Sequence, residues 1–165
     1  MKQYIRPGLY ILIGLLVLSQ FYRPTRNLSG DTSQSIAKVF PVPDSVQNIL
    51  KVACNDCHSN KTVYPWYNNV QPVASWLAHH IDEAKHHLNF DNFAKMPPRF
   101  QNHKMEEVIE QIEHNEMPMS SYTLMHKEAN LSEKQKTLLI HWAKGVMDSL
   151  KAHNHPDSLI LKKRH

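Results

Sequence analysis

Apolar residues in this chain recur mostly at helical spacing, with one unbroken run near the start. Val46, Ile49, Leu50 and Ala53 share one face of a helix predicted over residues 44–53. Val73, Trp76, Leu77, Ile81, Ala84 and Leu88 trace a second helix over 71–88, with Pro72 early, where it is tolerated. A third, more polar helix is predicted over about 104–114, with Val108 and Ile112 inward. The last begins at Ser132 and buries Leu138, Leu139, Trp142, Val146 and Leu150. Asp44 with Gln47, and Ser132 with Gln135, read as capping boxes. Residues 60–69 and 115–131 read as loops. The pattern predicts an all-α domain, and four glycines against ten prolines fit helices joined by rigid turns rather than a β-sandwich.

The unbroken run is Leu9–Leu18, preceded by Lys2 and Arg6 and followed by Arg23 and Arg26. A basic start before a short apolar core describes a secretory signal. No small-residue cleavage site follows it, and Tyr4, Tyr10, Phe21 and Tyr22 are placed as interfacial aromatics. The expectation is an N-terminal membrane helix acting as an uncleaved signal-anchor, with a cleaved signal peptide as the rival. The chain then divides into 1–22 as signal-anchor or signal peptide, 23–43 as a polar, proline-punctuated linker, 44–150 as one domain, and 151–165 as a charged tail.

A length of 165 residues leaves room for one domain after the leader. The net charge of +4 favours acidic partners and sets encounter rate more than specificity. No dense basic stripe interleaved with aromatics is present, so nucleic acid is not the expected partner.

The chemistry is concentrated in one pentapeptide. Both cysteines of the chain lie in Cys54-Asn55-Asp56-Cys57-His58. C-x-x-C-H is the attachment sequence of a c-type haem: each thiol adds to a vinyl group, and the histidine binds iron as proximal ligand. A cysteine-only zinc site needs a second pair, which is absent, although twelve histidines leave a Cys2His2 site open. A thioredoxin-like pair needs a preceding strand, and the flanking sequence reads as helix. A structural disulfide across so short a loop constrains little. The cofactor expected is therefore one covalent haem c, which also requires export.

Iron then needs a sixth ligand or an open site. Methionine is a soft ligand that raises the potential. Met117, before Pro118 on a loop entering the capped last helix, is the first candidate, Met119 the second and Met125 the third. The competing histidines are His79, His80, His86 and His87, and His103. Tyr64-Pro65-Trp66-Tyr67 could wall the porphyrin or pack the core.

The order of helix, C-x-x-C-H, loop, Met-Pro and terminal helix with an inward tryptophan resembles class I cytochromes c. Residues 40–150 are similar, more specifically, to the small haem-binding domain family of bacterial envelope proteins. The resembling stretches are Cys54–Asn60, Tyr64–Tyr67, Gln71–Val73, His79-His80, Leu88–Phe90, Glu116–Pro118, Leu131–Glu133 and Ile140–Ala143. The resemblance implies a cytochrome c-like helical fold around one haem, with Met117 at the distal position. The function expected is a membrane-tethered one-electron carrier, anchored in the inner membrane with its haem domain in the periplasm and served by an acidic redox partner. The alternatives are a haem-based sensor or interaction module, or a peroxidase-like enzyme with an open iron.

Overall fold

The computed structural model describes residues 2–161, with side chains from residue 7 onward. It is all-helical among the described residues. In chain order the α-helices are α1 Lys2–Ser19, α2 Asp44–Ala53, α3 Asn55–His58, α4 Val73–His87, α5 Pro98–Glu113, α6 Ser120–Met125 and α7 Glu133–His153. Short 3-10 turns join them, the longest being Phe90–Lys95.

The core is built where apolar stripes converge. α7 packs along α5 and also meets α2. From α2 come Val46, Ile49 and Leu50, from α5 Met105 and Ile112, and from α7 Leu139, Trp142, Ala143, Val146 and Leu150. Phe93 and Met105 are completely buried, and Phe40 packs edge-on to Phe93 at 6.1 Å between centroids. Each large side chain taken fully out of water contributes about 1.5–3 kcal/mol, so this cluster is the main driving force of the fold.

The Ser132 cap forms as expected: its hydroxyl accepts from the Gln135 N–H, and the Gln135 side chain accepts from the Ser132 N–H. The Asp44 cap does not. Pro43 occupies the N-cap position and its carbonyl accepts the Gln47 N–H, which leaves Asp44 inside the first turn. There its negative charge complements the positive end of the helix dipole. α5 starts earlier than the apolar pattern predicts, at Pro98, where the missing N–H costs nothing. Its first turns bury Gln101 and Asn102, so their polarity hides the helix in the sequence.

The expected membrane helix needs correction. α1 has 18 residues and Pro7 lies within it. Its uninterrupted apolar stretch, Leu9–Leu18, rises only about 15 Å at 1.5 Å per residue, half of a hydrocarbon core of about 30 Å. Among the described residues no helix is long and apolar enough to cross a membrane.

Residues 23–43, expected as a linker, lie against the domain. Arg23 donates to the Asn69 carbonyl at 2.8 Å, and the Asn27 N–H donates to the Tyr64 hydroxyl at 2.7 Å. Ile36 and Phe40 enter the core. The Trp142 indole N–H reaches back to the Pro41 carbonyl at 3.1 Å.

Candidate functional site

The C-x-x-C-H sequence forms a single helical turn. Cys57 N–H and His58 N–H both donate to the Cys54 carbonyl, at 3.2 and 2.9 Å. Residues three and four apart share a helix face, so Cys54, Cys57 and His58 are brought together on one side. Both cysteines are free thiols. Burial pushes Cys54 up to about 12, with its neighbour Cys57 adding to the effect. Burial, then the adjacent Asp56, pushes Cys57 up to about 11. A thioredoxin-like pair needs the opposite shift, toward thiolate at neutral pH.

His58 is held by the end of α4. Its Nδ1–H donates to the Leu88 carbonyl at 2.9 Å, while the Leu88 N–H closes α4 onto Ala84. That bond fixes the tautomer and leaves Nε2 with its lone pair free, the arrangement a histidine ligand needs. Burial lowers the His58 pKa and keeps the ring neutral, against the opposing effect of its backbone hydrogen bonds. Phe90 stands edge-on to the ring at 6.3 Å.

A polar network anchors the turn from behind. Asn60 is buried, and every hydrogen-bonding group on it has a partner. Its N–H donates to Asp91, its amide to the Asp31 carbonyl, and its side-chain oxygen accepts from Asn89, each at 2.8 Å. Its carbonyl accepts the Gly30 N–H at 2.9 Å. Asp56, inside the motif, accepts the Val63 N–H on one oxygen and the Tyr122 hydroxyl on the other.

Cys54 and His58 open onto a cavity of about 540 Å³. That volume falls within the roughly 300–1,000 Å³ of small-molecule and cofactor sites. Its apolar walls come from Leu50 and Ala53 of α2, Ala84 and Leu88 at the end of α4, Val108 and Ile112 of α5, and Leu139 of α7. Met117, Pro118 and Met119 line it too. So do His80 and His87, together with Glu83, Lys104, Glu107 and Glu110. The structure therefore brings Met117 and Met119 to the same cavity as Cys54 and His58, with Cys57 on the same helical turn.

Other expected residues lie elsewhere. Met125 is 57% exposed and does not line the cavity. His103 is taken up by Glu106 and Glu107 on the surface of α5. His79 lines a separate groove beside residues 22–29. The aromatic run 64–67 does not wall the cavity. Trp66 is 75% exposed, and Tyr67 pairs with His126 at 2.9 Å instead. Lys104 is the residue the sequence hid most thoroughly. It sits on a polar helix among charged neighbours, yet its side chain is only 17% exposed and its ammonium meets Glu107 at 2.6 Å at the cavity. Among the described residues no three His, Cys, Asp or Glu side chains are grouped to hold a bare metal ion.

The donor set fits a c-type haem. Two free thiols and an imidazole with an open Nε2 share one turn, and that turn borders a mostly apolar cavity of cofactor size. No curated protein and no solved structure matches the chain. The family described as the haem-binding domain matches residues 14–145, four-fifths of the chain. With that span covered, the chain belongs to the haem-binding domain family.

Proposed function

We propose that this haem-binding protein carries its haem covalently and works as a one-electron carrier outside the cytoplasm. One observation supports the reading above the rest: the His58 tautomer is locked by Leu88 on the turn that carries the chain's only two thiols. Cys54 and Cys57 would form the thioether links, each sulfur and its proton adding across one vinyl double bond. His58 Nε2 would supply the proximal ligand. Met117 is the first candidate for the distal ligand and Met119 the second, since both line the cavity. A c-type haem held there supplies reversible Fe(III)/Fe(II) chemistry. The apolar walls would cover the porphyrin faces, and two protein ligands would let the iron exchange electrons without a change of ligand.

Export follows from the same chemistry, because covalent haem attachment takes place in the cell envelope. The Leu9–Leu18 run behind Lys2 and Arg6 suits the 7–15-residue apolar core of a signal peptide. The redox partner is acidic on this reading, drawn by the net charge of +4.

Absorption spectra of the protein matured with a cytochrome c assembly system test the reading. A covalent haem with the weak red band of methionine sulfur on ferric iron is expected, and Met117→Ala removes that band. Loss of the band in Met119→Ala instead moves the ligand two residues along. A high-spin ferric spectrum in the unsubstituted protein would sink the carrier reading and leave an open iron, suited to sensing or peroxide chemistry.

A further inference from the structure

The segment bearing Met117 and Met119 runs directly into α6, and α6 has no fully buried side chain. Leu124, on the same helix, is 66% exposed. Burial of apolar surface therefore does not hold α6, and elements with few buried contacts are the first to open. Its attachments are polar. The Tyr122 hydroxyl donates to Asp56 Oδ2 at 2.8 Å, and Asp56 immediately precedes Cys57 in the attachment turn. The other Asp56 oxygen accepts the Val63 N–H at 3.1 Å, which fixes the carboxylate. The Tyr122 ring stacks on His126 at 4.4 Å, and His126 Nε2 pairs with the Tyr67 hydroxyl. At the start of α6 the Met119 carbonyl accepts the N–H groups of both Tyr122 and Thr123, each at 3.0 Å. Met119 and Tyr122 are thus tied through the first turn of α6.

We propose that Tyr122 and Asp56 are positioning residues for the distal side of the haem site. Their bond latches the Met117–Met119 segment to the turn that bears the cysteines. The inference deepens the haem reading and rests on it. A hydrogen bond to an ionised carboxylate is about twice as strong as a neutral one, so its loss should raise the opening equilibrium of the segment roughly tenfold.

The test uses the full, haem-loaded chain as the unsubstituted protein and as Tyr122→Phe, Asp56→Leu and Asp56→Asn. Phenylalanine keeps the ring on His126 and removes only the hydroxyl. Asparagine keeps a two-headed polar side chain able to hold both Val63 and Tyr122. Two readouts are followed: the red sulfur-to-ferric-iron band, and the rate at which carbon monoxide binds the reduced protein. Carbon monoxide must wait for the distal segment to release, so its rate reports the latch. Tyr122→Phe and Asp56→Leu are expected to bind it roughly tenfold faster with a weakened band, and Asp56→Asn, which keeps a neutral bond in place of the charged one, to fall between them and the unsubstituted protein. A merely structural role would lower the melting temperature and leave the carbon monoxide rate alone. An unchanged rate and band in Tyr122→Phe overturns the latch and leaves the haem reading standing. An unsubstituted protein that lacks the band and binds carbon monoxide as fast as Tyr122→Phe overturns the latch and the methionine ligand together. A chain that gains no covalent haem under assembly overturns the haem reading itself.

Discussion

The two sides of the cavity are built by opposite means. The attachment turn is backed by buried Asn60, braced by Leu88 and joined to α2, whose inner face lies in the core. The Met117–Met125 segment has only a few polar ties and two large apolar side chains in solvent. On the proposed reading, a covalent, permanent bond would be served by a rigid support, and an exchangeable bond by a lightly held one. The contrast teaches where the fold spends its buried contacts: on the half of the site that, on this reading, must be in place before the cofactor is joined.

Removing the covalent half is the harshest way to break this contrast. Cys54→Ala with Cys57→Ala leaves a wide cavity between α2, α4, α5 and α7 with nothing tethered in it. Helical circular dichroism of the exported double variant is expected to show loss of cooperative folding, and a native spectrum without haem would count against that dependence. Next comes Asn60→Ala, which strips the side-chain partner from the Asp31 carbonyl and from buried Asn89 behind the turn. Leaving the buried Asn89 amide unpaired costs about 1–3 kcal/mol, readable as a shifted denaturation midpoint.

A smaller effect is expected on the distal side in alkali. Burial, then the hydrogen bond to Asp56, raises the Tyr122 pKa above the ordinary tyrosine value of about 10. The neutral hydroxyl is favoured in the folded state. Its contribution is therefore complete below pH about 10 and is lost as pH rises further. Unfolding free energy measured from pH 8 to 12 should fall less steeply in Tyr122→Phe than in the unsubstituted protein. The smallest effect is expected at Leu124→Ser, within about 0.5 kcal/mol, because that side chain already stands in water. A loss of several times that size would show that α6 is covered in solution.

The turn that carries Cys54, Cys57 and His58 was largely legible in the sequence. Its chemistry lies in five consecutive residues, and the helix before it has a clean apolar face. The terminal helix was equally clear, because Ser132 and Gln135 signal its start locally. The distal half was only partly legible. Met117 could be placed by its order in the chain, but α6 has too little apolar patterning to announce itself. The Tyr122–Asp56 bond joins residues 66 positions apart, and no local signal reports it. The run 64–67 misled because aromatic composition suggests burial, whereas Trp66 faces solvent and Tyr67 finds a polar partner. α5 was shortened because Gln101 and Asn102, though buried, read as surface. The apolar run near the start suggested a span, and only its length as a helix shows that it falls short.

The indole of Trp142 meets the Pro41 carbonyl across 101 positions of chain, and α7 covers the inner face of the helix leading into Cys54. α7 is thus the helix that closes the structure over α2. Until it docks, the inner face of α2 lacks that cover and the thiols after it are the more open to reagents. On the proposed reading haem is joined after export, so the docking of α7 in the envelope, rather than its emergence from the ribosome, would set the time window for the covalent chemistry.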